Sequence, residues 1–283
     1  MIWWKKTPAK APDPGEIDAL WREAFGHHQA GRIDQAVKLY RSLLKDAPDH
    51  FDARHLLGVA ALQQGRLDEA HREITAALAL NPKDSAAHNN LGTTLMRQGR
   101  LPEARESFEA ALKLRPGDPD ANVNLATVLM RQGDPAAAVA PLRKAMAQRS
   151  TPELRKQLGT TLIAAGDAAA AVRELRLVTR EQPGDAHALN QLGIALAHSG
   201  DTAAALKAYD QALALMPDET IACNRALLLA DMGRMAQARA ALEELARKNP
   251  KSAAVHANLG ALLRDQGDLP AARASLERAL KLD

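Results

Sequence analysis

Side chains able to hold a polymeric ligand stand at one register along this chain. Asn90, Asn124, Gln157, Gln191, Asn224 and Asn258 each lie nine residues before a glycine, and Arg22 and Leu56 occupy the same register upstream. A primary amide carries both a donor and an acceptor, so one side chain can pair with the C=O and N–H of a peptide backbone. Repeated at fixed spacing, such amides form a sequence-tolerant track for an extended chain. The other reading is that each amide bonds the backbone of the adjacent repeat, because buried amides find a partner in any case. Residues three and seven positions after the first two asparagines are Thr93 with Arg97 and Thr127 with Arg131, and Thr160 continues the hydroxyl row beside Gln157. On a helix these share one face. The two arginines can take a carboxylate through forked contacts, or they can simply complement the negative end of their own helix. Asp18, Asp52, Asp120 and Glu153 form a further column, read either as first-turn acids that suit the helix dipole or as a charged rim.

Catalytic chemistry finds no comparable pattern. Among the nine histidines, His27 and His28 are adjacent and cannot share a helix face, and no His-Glu-x-x-His, paired-cysteine or phosphate-loop motif accompanies any of them. Cys223 is the sole cysteine, so neither an intrachain disulfide nor a thiolate metal cluster can form, and a reducing cytoplasm is the expected setting. We expect no catalytic residue, no metal and no cofactor. Lysine and arginine exceed aspartate and glutamate by only 37 − 34 = 3 and the signs are interleaved, which argues against nucleic acid as a partner.

The elements that must position the amide column announce themselves by period. Gly31, Gly65, Gly99, Gly133, Gly166, Gly200, Gly233 and Gly267 follow at spacings of 34, 34, 34, 33, 34, 33 and 34. Five residues after each stands alanine, from Ala36 to Ala272, and seven residues before each stands alanine or glycine, from Ala24 to Gly260. Two columns of small residues permit close helix contact, and apolar residues between them keep helical spacing. Each period is therefore two helices joined at a glycine that takes a left-handed conformation. Fifteen residues before each glycine come Glu16, His50, Asp84, Asp118, Thr151, Asp185, Asp218 and Ser252, which mark the start of each first helix. Pro14, Pro48, Pro82, Pro116, Pro183 and Pro250 precede them by two and end the helix before. The shorter spacings, near Ser150 and Pro217, read as one-residue loop deletions.

The period, the small residue of the first helix, the alanine of the second and the closing proline resemble the tetratricopeptide repeat. The resemblance covers 16–283 and departs from the family where aromatics usually stand: Leu20, Arg54, His88 and Asn122 replace tryptophan, and Leu95, Leu129 and Leu162 replace tyrosine. It implies an all-α, right-handed α-solenoid of eight helix-turn-helix repeats, at 16–49, 50–83, 84–117, 118–150, 151–184, 185–217, 218–251 and 252–283, after an irregular N-terminal tail at 1–15. It also implies a concave groove lined by the first helices. The amide column there resembles the asparagine ladder in the superhelical arm of O-linked N-acetylglucosamine transferases. Asn90, Asn124, Asn224 and Asn258 match it, while Gln157 and Gln191 depart by one methylene. The expected function is a non-enzymatic scaffold that binds a protein or peptide segment in the groove. The alternative is the substrate-recognition arm of a larger transferase, a bacterial-type glycosyltransferase or sulfotransferase.

The two ends carry expectations of their own. Trp3 and Trp4 beside Lys5 and Lys6 suit interfacial anchoring or docking on a partner, against a disordered or self-packed tail, and the apolar run is too short for a signal peptide. Nowhere does an uncharged apolar run approach the ~20 residues that cross a bilayer. The final repeat stops at its second helix without a polar cap, so end-to-end self-association or covalent continuation is expected at that end.

Overall fold

The computed structural model describes residues 13–282, and among them the chain forms sixteen α-helices and no strand. In order these are α1 (Pro14–Gln29), α2 (Ile33–Asp46), α3 (Phe51–Gln63), α4 (Leu67–Leu80), α5 (Ser85–Arg97), α6 (Leu101–Leu114), α7 (Pro119–Arg131) and α8 (Pro135–Gln148). They continue with α9 (Pro152–Ala164), α10 (Ala168–Glu181), α11 (Ala186–His198), α12 (Thr202–Leu215), α13 (Glu219–Asp231), α14 (Met235–Lys248), α15 (Ala253–Asp265) and α16 (Leu269–Leu280). Odd-numbered helices are the first of each repeat. Trp3 and Trp4, and with them the expected anchoring, lie outside the described residues.

Each of the eight periodic glycines has φ between 72° and 87°. At Gly65 the turn is closed by Gly65 N–H donating to Leu62 O at 3.1 Å and Arg66 N–H donating to Ala61 O at 2.9 Å, which satisfies carbonyls the helix end would leave orphaned. Seven of the eight expected helix starts are caps. Asp84, for example, accepts from Ala87 N–H at 2.7 Å and Thr151 from Leu154 N–H at 3.2 Å. The exception is the first repeat. There α1 begins at Pro14 rather than Glu16, because Asp13 accepts from Gly15 N–H at 3.0 Å and Pro14, with its φ preset and no N–H to lose, fits the first helical position.

Packing explains the two small columns. All eight alanines after the glycines are 3% exposed or less. The small residues of the first helices face the bulky residue of their own second helix. A Cβ on Gly92 would lie 2.6 Å from the Phe108 ring, and one on Gly193 would lie 2.6 Å from Tyr209. Close backbone approach thus takes the place of side-chain volume, consistent with an aromatic content of only 3%.

Arg54, His88 and Asn122, which stand at the tryptophan register, and His256 at the same register, each make a polar contact with the loop before them. Arg54 Nε donates to Pro48 O at 2.7 Å and Asn122 Nδ2 to Pro116 O at 3.1 Å. His88 and His256 place Nε2 at 2.9 Å and 3.3 Å from Pro82 O and Pro250 O. In each case a polar side chain of the first helix ties down the loop that leads into it. Before α9 the loop lacks the proline and is one residue shorter, and Arg155 Nε is buried with no partner among the described residues.

The described residues fall into two compact units, one ending at Asp134 and the other starting at Pro135. Within unit 1, α1 packs on α2, α3 on α4 and α5 on α6, and each second helix packs on the next first helix; unit 2 repeats this scheme from α8 onward. Successive first helices also touch: α3 with α5 and α5 with α7 in unit 1, and α9 with α11, α11 with α13 and α13 with α15 in unit 2. Among the described residues, the second helices within each unit make no contact of that extent with one another. First helices therefore line the tighter, inner side of each stack.

Candidate functional site

In unit 1 the inner wall carries Asn90 and Thr93 on α5 and Asn124 and Thr127 on α7, all half-buried, with Arg97 and Arg131 exposed in the last turns. In unit 2 the same register holds Gln157 with the exposed Thr160 on α9, Gln191 on α11, Asn224 on α13 and Asn258 on α15. Within each stack the residues share one face, as helical spacing requires.

The hydrogen bonds of the four asparagines run across the repeat interface. Asn90 Nδ2 lies 2.9 Å from His55 Nε2, Asn124 Nδ2 donates to Asn89 Oδ1 at 3.0 Å, and Asn224 Nδ2 donates to Asn190 Oδ1 at 3.1 Å. Asn258 bonds the Cys223 thiol. In every case the partner is the residue ten before the preceding repeat's glycine. The contact is side chain to side chain, not to the neighbour's backbone. An amide that spends one N–H this way keeps a second N–H and the carbonyl oxygen for a ligand. Near the start of unit 2, the residue at that partner register is Lys156, whose Nζ turns to Asp185 Oδ2 at 2.7 Å.

The arginines and threonines are partly committed as well. Arg97 Nη1 donates to Leu62 O at 2.6 Å and Arg131 Nη1 to Met96 O at 3.1 Å, so each guanidinium caps the C-terminal end of the preceding first helix. A planar guanidinium has five N–H donors, and the remainder can still face a carboxylate. The hydroxyls of Thr93, Thr127 and Thr160 donate to the carbonyls of Asn89, Val123 and Lys156 one turn back, at 3.0, 2.9 and 3.0 Å.

Burial sets the protonation of the two groups beneath the amides. It pushes the His55 imidazole below its ordinary 6.5 against the opposing charges of Asp84 and Asp52, so Nε2 is neutral near pH 7 and free to accept from Asn90. Burial likewise pushes the Cys223 thiol up, more than its bond with Asn258 pulls it down, and Glu219 and Asp218 add to the rise. A thiol held protonated is a poor nucleophile. No group of three His, Cys, Asp or Glu able to hold a metal occurs among the described residues, and no described helix is long and apolar enough to cross a membrane.

Two features of the wall escaped the sequence reading. At the start of unit 1 it is apolar and aromatic: Trp21 stacks on Phe25 with centroids 5.6 Å apart, Phe25 is 38% exposed, and Leu56 and Val59 flank them half-buried. The signal was the rarity of aromatics, which makes two on one helix face a departure. The register of Arg97 and Arg131 in unit 1 is taken in the last two repeats of unit 2 by the exposed Asp231 and Asp265, so the two walls carry opposite charge along that line.

The tetratricopeptide repeat profile matches this chain at residues 27–85, 56–119, 89–152, 156–220 and 223–283. No match was found among curated proteins. Among solved structures, a tetratricopeptide repeat protein from Parabacteroides merdae is similar with a TM-score of 0.68 and 21% identity, over 82% of this chain and 93% of that one. YrrB, described as a TPR protein with an unusual peptide-binding site, aligns with a TM-score of 0.61 and 23% identity over 64% of this chain and 94% of its own. PilF of Pseudomonas aeruginosa aligns with a TM-score of 0.60 and 23% identity over 76% of this chain and 97% of its own. At these identities the likeness is one of fold.

Proposed function

The chain belongs to the tetratricopeptide repeat family, and from that premise we propose that the inner wall of each unit binds an extended segment of another polypeptide. The fold is that of a protein–protein interaction scaffold. The observation that carries the finer reading is the row of half-buried amides on helices that lie on the tight side of the stack. Asn90, Asn124, Asn224 and Asn258 are each oriented by a bond to the preceding repeat, and an amide with one N–H so used has a further donor and an acceptor, the complement of a backbone peptide group. Fixing the amide in advance lowers the entropy lost on binding.

The lining of unit 1 supports a particular kind of segment. An apolar side chain suits Trp21, Phe25, Leu56 and Val59, and an acidic group suits Arg97 and Arg131. First helices packed at ~10 Å intervals put these two regions about 20 Å apart, or roughly six residues of extended chain. The test is calorimetry with a segment selected by the intact chain from a random peptide library. Asn90→Ala combined with Asn124→Ala should weaken binding by about tenfold, the loss of one or two net hydrogen bonds, with helicity retained by circular dichroism. Unchanged affinity in a folded double variant would rule the amide wall out.

A further inference from the structure

The outer face of unit 1 holds a second charged feature that the inner wall does not use. Between α2 and α4, over α3, runs a groove of about 560 Å³ lined by Arg41, Leu44, Lys45, Arg54, Leu57, Glu69, Arg72 and Glu73. Its floor is two nearly covered carboxylates. Glu69, 15% exposed, accepts from Arg41 Nη2 at 2.5 Å and from Arg66; Glu73, 12% exposed, accepts from Arg54 Nη1 at 3.2 Å and from Arg72 Nε at 3.1 Å. Burial alone would raise the Glu69 pKa, but the Arg41 bond and the charges of Arg41, Arg66 and Arg72 hold it below the usual carboxylate value. The floor is therefore anionic and fully claimed.

The rim is in cationic surplus. Five cations, Arg41, Lys45, Arg54, Arg66 and Arg72, surround those two carboxylates, a local balance of 5 − 2 = +3. Arg41 and Arg72 are 52% and 68% exposed and each commits one nitrogen to the floor, leaving donors directed at solvent. The adjoining depressions leave this surplus unchanged, because the acids they add, Asp34 and Asp68, are matched by Lys38 and Arg100 in the same linings. Repeat stacking does not need this cluster. In the corresponding groove of unit 2, between α10 and α12, Leu189, Ala204 and Ala208 stand where Arg54, Glu69 and Glu73 stand here, and the lining includes Pro183, Leu192 and Leu215.

We propose that this outer groove is a second binding site, for an acidic segment of a partner polypeptide whose carboxylates settle between Arg41, Lys45 and Arg72. Planar guanidiniums already grip two carboxylates in this way within the groove, and a third and fourth supplied by a ligand would relieve the self-repulsion of the rim. The groove runs between two helices, a shape that fits an extended chain better than a single ion.

The experiment is calorimetry of the full chain at low ionic strength with a probe peptide of alternating Glu and Ala, and with its Gln counterpart. Expected results are binding of the Glu peptide only, and a loss of about tenfold or more in Arg41→Gln with Arg72→Gln. Affinity should also fall as salt rises from about 0.05 to about 0.2 M. Lys45→Gln, which touches neither floor carboxylate and so spares the fold, should lose about threefold. Asn90→Ala with Asn124→Ala should leave this binding unchanged, which separates the site from the inner wall. Equal binding of the Gln peptide, or retained affinity in both groove variants, would overturn the proposal. So would displacement of the peptide by inorganic phosphate at equal concentration, which would make the site one for a free anion. Light scattering that shows self-association abolished by the same variants would overturn it too, by making the occupant a second copy of this chain.

Discussion

At Asn90 a single hydrogen bond does two jobs, because the partner that orients the amide is an imidazole held neutral by burial. The His55 pKa lies below 6.5, so the folded state resists protonation there. For a base with a depressed folded pKa, stability is fully present above the unfolded value and is lost as pH falls below it. Protonation also turns Nε2 from an acceptor into a donor facing the Asn90 amide nitrogen. The melting temperature should therefore fall as pH drops from about 7.5 to about 5.5, and His55→Asn should shrink that fall, since asparagine reproduces the neutral pair formed by Asn89 and Asn124. His28, also lowered by burial, shifts in the same direction, so the slope should diminish without vanishing. An identical slope in wild type and variant would remove His55 from the explanation. The amide column was legible in the sequence, but its tie to the register before it was not, because that depends on how one repeat stacks on the next. A trace was present nonetheless: His55, Asn89 and Asn190 are polar where the following repeat carries Asn90, Asn124 and Asn224.

At the scale of the helix pair, packing requires glycine at one helical position and not at another, and substitution separates the two. A Cβ on Gly58 would lie 2.5 Å from Ile74 Cγ1 and 3.1 Å from the Ile74 backbone nitrogen, so Gly58→Ala should destabilise by ~1–3 kcal/mol through overpacking. Gly26 sits inside α1 with nothing within 4 Å of an added Cβ, so Gly26→Ala should stabilise by about 0.5–1 kcal/mol, chiefly by restricting the unfolded chain. Denaturant titration of both variants checks the pair, and equal effects would contradict the packing described here. Helix starts and turns could be read from single residues, Asp84 or Gly65 for example, since a cap or a positive φ is a local demand. The start of α1 was misplaced because the column pointed to Glu16 while a better cap, Asp13, stood just before a proline. The loop-tying roles of Arg54, His88, Asn122 and His256 stayed hidden because each reads, in one dimension, only as a lost aromatic.

Among the described residues of each unit, extensive helix contacts join neighbouring repeats, and stability in such stacks is close to a sum over repeats and their interfaces. A local lesion should therefore stay local. Hydrogen exchange on Gly58→Ala should show lost protection in α1 to α6 and unchanged protection in α11 to α16; uniform loss over all helices would mean a single cooperative core instead. The two proposed sites lie on different faces of unit 1, an inner wall of amides and an outer groove of cations, so partners bound there would not compete. The central claim is that the inner wall holds an extended polypeptide through its amide row. It is tested most directly by the NMR side-chain NH2 signals of Asn90 and Asn124 during titration with a library-selected peptide. Both signals should shift together with Thr93 and Thr127 while the second helices α4 and α6 stay unmoved; shifts confined to second helices, with both amides silent, would contradict it.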